Sequence, residues 1–164
     1  MMRRLIAVAV CLFAVAGCGS ASDAVTFTAP PDYKAAASIG PFAQIWNGPD
    51  HNTMMLMAIP TRVDISKHVT QSPVGGGGDV VSDKAVTICD DQPARLADMH
   101  GEGISVSVGG SAAPTSVKGR RQDVEFLLTV VNGKTYMAIY SRPLGSAPDR
   151  AAEAALHNVC PKPQ

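Results

Sequence analysis

Asp98, His100 and Glu102 alternate along the chain, so on an extended strand all three would project from one face. Imidazole and carboxylate together suit zinc or manganese, and the same trio could also do acid–base work. The plainer reading is a polar, solvent-facing strand face followed by Gly101 and Gly103. That reading is the expectation. A metal-binding protein or metal-dependent envelope enzyme using Asp98, His100 and Glu102 is the alternative.

The other chemically capable residues lack the spacing their chemistry needs. His51 follows Asp50 in a turn-rich loop, and His68 sits beside Lys67, whose charge opposes metal ligation. Asp90-Asp91 has no glycine-containing calcium-loop spacing and suits a turn. Gly75 to Gly78 is not followed by the Lys-Ser/Thr pair of a phosphate loop and reads as a surface loop. Met54, Met55 and Met57 read as adaptable core filler rather than converging thioether ligands. The chain has no nucleophile elbow, no His-Glu-x-x-His helix and no dinucleotide fingerprint. The expectation is therefore a non-enzyme with no cofactor. Tyr136 and Tyr140 share a strand face with Leu127, either as a shallow recognition patch or covered by another part of the chain.

Address is written at the N-terminus. Arg3 and Arg4 precede the apolar run from Leu5 to Ala16, which is shorter than the roughly 20 residues of a membrane-spanning helix. Val15-Ala16-Gly17-Cys18 then resembles the lipobox of bacterial lipoproteins. That resemblance implies cleavage after residue 17, acylation of Cys18 and a lipid membrane as partner through the acyl chains. Each buried methylene adds about 0.8 kcal/mol, so several chains hold a domain durably. Gly19, where an aspartate would signal inner-membrane retention in Gram-negative bacteria, favours the periplasmic leaflet of the outer membrane by the same resemblance.

Removing residues 1–17 leaves 147 of the 164 residues, enough for one core. It takes two arginines from the 14 basic residues and none of the 14 acidic ones, for a net charge near −2. Such a balance offers no long-range pull on nucleic acid, and Lys118-Gly-Arg120-Arg121 reads as a solvated loop. Cys11 leaves with the signal and Cys18 is consumed, so Cys89 and Cys160 remain in an oxidising compartment. One intramolecular pairing is possible, a Cys89–Cys160 disulfide.

The elements that must position these residues follow from alternation and turn chemistry. Residues 18–24 are small and polar and read as a tether, with a single domain over 25–164. Val25 to Pro31 opens as a strand. Phe42 to Trp46 and Thr53 to Ile59 flank Asn47-Gly-Pro-Asp-His-Asn52 as a hairpin. Asp64 to Thr70 is expected to form one or two helical turns, Pro93 to break a strand ending near Cys89, and Ala94–His100 and Ile104–Val108 to be extended, with 109–116 a loop.

Gln122 to Arg142 is the clearest hairpin, because Asn132-Gly133 is a preferred type I′ pair. With that turn Asp123 faces Arg142, Phe126 faces Ile139 and Leu128 faces Met137. Val124, Phe126, Leu128, Val130, Met137 and Ile139 then share one face. A helix is expected over roughly Pro148 to Val159, with Ser146 and Asp149 as a capping box and Ala152, Ala155, Leu156, Val159 and Cys160 as its buried stripe. Cys89 is expected beneath it on a central strand. The fold class is α+β: an antiparallel sheet built of hairpins with a C-terminal helix packed on one face.

Ile88-Cys89-Asp90-Asp91-Gln92-Pro93-Ala94, Asn132-Gly133-Lys134-Thr135-Tyr136 and Ala154-Ala155-Leu156-His157-Asn158-Val159-Cys160 look like a family of small exported bacterial proteins. The order of hairpins and closing helix is similar to the Mog1/PsbP-like α+β sandwich. That resemblance implies a non-catalytic binding or accessory domain with an envelope protein as a possible partner, and it carries over no site residues.

Overall fold

A computed structural model describes residue 21 and residues 23–59, 62–70, 78–102 and 121–163. Residues 1–17 and Cys18, the glycines 75–77, the expected strand 104–108, the loop 109–116 and residues 118–120 lie outside the described residues. The chain is mostly antiparallel sheet with one short C-terminal helix. The strands are β1 (Val25–Thr26), β2 (Lys34–Ile39), β3 (Ala43–Asn47), β4 (Thr53–Ile59), β5 (Gly78–Ile88), β6 (Gln92–Glu102), β7 (Arg121–Val131), β8 (Lys134–Pro143) and β9 (Cys160–Pro161), with helix α1 at Arg150–Leu156. Seven strands form one open sheet in the order β2-β3-β4-β8-β7-β6-β5, while β1 and β9 pair separately.

The β7–β8 hairpin has the register its turn demands. Asn132 and Gly133 both take positive φ, 51° and 78°, and Asp123↔Arg142, Phe126↔Ile139 and Leu128↔Met137 are opposed. The remaining pairs in the sheet join strands consecutive in the chain except β4 with β8, which joins the two halves. Between β4 and β5 the chain must pass from the centre of the sheet to its far edge. Residues 62–70 do this across one face, where Ile65 and Val69 pack on Phe126, Leu128 and their neighbours. They form turns, not the expected helix. Asp64 Oδ1 accepts from Ser66 N (3.1 Å) and Ser66 Oγ (2.6 Å), offering the backbone a local alternative to helical bonding.

The opposite face holds α1, whose Ala152, Ala155 and Leu156 are buried with Leu56, Leu96, Leu127, Ala138 and Tyr140. The helix is shorter than the sequence stripe suggests. Asp149, not Ser146, is its N-cap, accepting Ala151 N at 2.9 Å, while the Ser146 hydroxyl donates to Pro143 O. Val159 is buried beyond the helix end and Cys160 already belongs to β9. Ala21 is 1% exposed and Ala24 packs on the same core, so the polypeptide contacts the domain within the stretch read as a tether.

Cys89 and Cys160 form a disulfide with Cα atoms 5.5 Å apart, 71 residues apart in sequence. Cys89 is not on a central strand. It occupies the turn between edge strand β5 and β6, where Cys89 and Asp90 adopt positive φ without a glycine. Pro93 does not break the strand either. It is the second residue of β6, paired with Thr87 of the edge strand before pairing to β7 begins at Ala94, a place where a missing N–H is tolerated.

Candidate functional site

The β3–β4 hairpin closes through a turn in which Gly48 N donates to Asn52 O (2.8 Å) and Asn52 N to Pro49 O (2.9 Å). Gly48 is required there because a Cβ would collide with the Tyr33 ring. This turn brings Asn47 opposite Thr53, and β4–β8 pairing brings Thr53 opposite Ser141, itself opposite Val124. One row inward the same registers align Ile45, Met55 and Ile139. Opposed residues share a face, so two neighbouring rows make the floor of a cavity of about 170 Å³. The outer row carries an amide and two hydroxyls and ends on Val124. The inner row is aliphatic and thioether, and among the described residues none of the lining side chains is ionisable.

The arrangement grades from polar at the sheet end to apolar toward its centre. It can hold a molecule by shape and hydrogen bonding. Sequence reading placed Val124 and Ile139 on this face through the β7–β8 hairpin, but it missed Asn47, Thr53 and Ser141. Their signal depends on the β4–β8 register, a pairing between segments some 80 residues apart that leaves no local pattern. No protein-family model matches the chain. No curated protein matches it either.

Asp98 and His100 take partners on different neighbouring strands. The Asp98 carboxylate takes the Ser82 hydroxyl of β5 as its partner. His100, 49% exposed, turns its Nδ1 to within 2.7 Å of Asp123 Oδ1 on β7. Asp123 Oδ2 accepts Gly145 N at 3.0 Å and lies 3.4 Å from Arg142 Nη2. No hydrogen bond of regular geometry reaches that buried Oδ1 atom. Asp79, His100, Asp123 and Arg142 are successive partners across β5, β6, β7 and β8, a polar row at one end of the sheet. The Glu102 side chain lies outside the described part. Among the described residues no three His, Cys, Asp or Glu side chains are placed to hold a metal.

Tyr136 and Tyr140 are 2% and 0% exposed and form no open patch. The face they share with Leu127 is the one α1 and β1 cover, because the alanines of the helix let it approach closely. Tyr140 OH accepts Asp149 N at 2.8 Å and Tyr33 OH donates to Asp149 Oδ2 at 3.0 Å, so two phenols anchor the helix start. Burial pushes all three phenols above their ordinary range.

Glu125 stands between these regions, opposite Asp98 on one side and Tyr140 on the other. Burial first, then the negative charges of Asp98 and Glu153, push its carboxyl from 4.5 up to about 7. A raised carboxyl favours folding fully below its unfolded value and loses that contribution as pH climbs through 7. Wild-type stability is therefore expected to decline from pH 5 to pH 8 relative to Glu125→Gln, which cannot ionise. The variant should be more stable by about 2 kcal/mol at pH 8, discounting partial solvation. Parallel thermal melts across that range check this, and a constant difference between the two proteins would refute it.

Proposed function

We propose that this chain is a lipid-anchored cell-envelope protein whose domain binds a ligand without transforming it. The anchor rests on Arg3-Arg4, the apolar run to Ala16 and the lipobox-like residues ending at Cys18. Acyl chains there fix the domain to a membrane surface, and in a Gram-negative envelope the residue after Cys18 favours the periplasmic leaflet of the outer membrane. The bonded Cys89–Cys160 pair suits an oxidising compartment of that kind. The observation carrying the binding half is the lining of the cavity: hydrogen-bonding side chains at one end, aliphatic ones at the other, on rigid strands of one sheet. The similarity to the Mog1/PsbP-like sandwich supports the same reading, with an envelope protein as a second class of partner.

Labelling cells with a palmitate analogue tests the anchor. The mature chain should begin at Cys18 and carry label, and Cys18→Ala should lose the label and leave the membrane fraction. An unacylated chain still starting at Met1 in the cytosol would refute the proposal.

A further inference from the structure

We infer that the cavity over β3, β4, β8 and β7 is a site for a small neutral amphiphile: a saturated hydrocarbon of about six carbons ending in a hydroxyl or amide. The inference rests on the binding reading above and names the chemical class for that site.

Size comes first. A cavity of about 170 Å³ is close to the roughly 150 Å³ that accommodates benzene in an engineered protein core, so six to eight non-hydrogen atoms fit. Charge comes second. Asn47, Thr53, Ser141, Ile45, Met55, Val124 and Ile139 include no ionisable group, so an ion brought here would lose hydration without gaining a counter-charge. Shape and polarity come third. Among the described residues no aromatic ring lines the cavity to reward stacking, while branched aliphatic and thioether groups fit a saturated chain.

Orientation follows from the two rows. Asn47, Thr53 and Ser141 stand at the sheet end, where their hydroxyls and amide both donate and accept. The ligand's polar group belongs over them. Its hydrocarbon runs inward over Ile45, Met55 and Ile139, toward the row of half-buried Met57 and buried Met137 and Leu128. The Asp123–Arg142 pair, one position along from Val124 and Ser141, points to the opposite face, so it adds no charge to the cavity floor.

Methyl NMR on the full chain, titrated with 1-hexanol, hexanoate and hexylammonium, tests this. Hexanol should saturate with a Kd on the order of 1 mM. It should shift the methyls of Met55, Ile45 and Ile139 but not those of Met54 and Leu56 on the other face. Both ions should bind at least tenfold more weakly. Thr53→Val should weaken hexanol about fivefold, the loss of one hydrogen bond, and leave hexane unaffected. Val124→Phe should block the site, and Ser141→Val provides a rim readout if the filled variant fails to fold. Equal or tighter binding of either ion would overturn the neutral class while leaving a binding site in place. Absence of saturable shifts at Met55, Ile45 and Ile139 with all three probes would overturn both the inference and the binding reading.

Discussion

Replacing Cys89 and Cys160 by serine is expected to lower folding stability by about 4 kcal/mol, the chain-entropy value for closing a loop of this length. The bond does more than shorten the unfolded chain. It ties the β5–β6 turn to β9, and β9 holds β1 through Val25↔Pro161 and Thr26↔Cys160. Lys162 N donates to Ala24 O at 3.0 Å, so the first described segment and the last share one anchor. Helix α1, seven residues long, cannot persist without its tertiary contacts. Opening the bond should therefore loosen α1, β1 and β9 together while the central hairpins remain. Urea denaturation of the two single variants and the double variant checks this. All three should lose nearly the same stability, since each lacks the same bond. Native hydrogen exchange should quicken first at Ala155 and Leu156. A loss under about 1 kcal/mol in the double variant would assign the stability to packing instead.

What could be read along the chain and what could not divides by sequence distance. The β7–β8 hairpin was legible to the residue, because Asn132-Gly133 sets both turn and register and the alternation of Val124, Phe126 and Leu128 agrees with it. The β3–β4 hairpin was legible as an element, and the cysteine pair by elimination in an oxidising setting. The faces were sorted correctly within β7 and β8, yet nothing local says which face a helix will cover. Tyr136 and Tyr140 therefore stayed open between a recognition patch and a covered face, and they are core. His100 was visible but its partner was not: Asp123 reaches it only through the β6–β7 register, set by strands whose connection is long. The cavity depends on β4 meeting β8 and was the least legible of all. Cys89 and Asp90 turn the chain with positive φ and no glycine, a departure that propensity argues against. The disulfide and short hairpin hold it.

Arg95→Ala is expected to cost about 3–5 kcal/mol, among the largest effects of any single substitution in the described sheet. Arg95 is 4% exposed, on the same face as Phe126 and Leu128. It reaches Asp83 of β5 through two bonds, Nε to Oδ1 at 2.6 Å and Nη2 to Oδ2 at 3.0 Å. Its Nη1 donates to Ile65 O at 3.3 Å, and Asp83 Oδ2 also accepts Val69 N at 2.9 Å. His68 Nδ1 lies 2.9 Å from that carboxylate and 3.0 Å from Arg95 Nη2, so its proton selects which of them it bonds. The ion pair thus fastens residues 62–70 across the face that Ile65 and Val69 cover. Burial alone would raise the Asp83 carboxyl, but Arg95, the Val69 amide and His68 outweigh it and hold it below its ordinary value. That contribution is present above pH 4 and fades as pH falls through the lowered folded value.

Removing the arginine leaves a buried carboxylate bonded only to an amide and an exposed histidine. Removing both charges does not, so Arg95→Leu with Asp83→Leu should be less destabilising than either alone. A double-mutant cycle by urea denaturation at pH 7 should return a coupling of several kcal/mol. Repeating the cycle at pH 3 should shrink that coupling, because without Arg95 burial raises the Asp83 carboxyl, which then takes up a proton in place of the cation. If the single substitutions add without coupling, residues 62–70 are held by Ile65 and Val69 alone. The polar network beneath them would then be incidental.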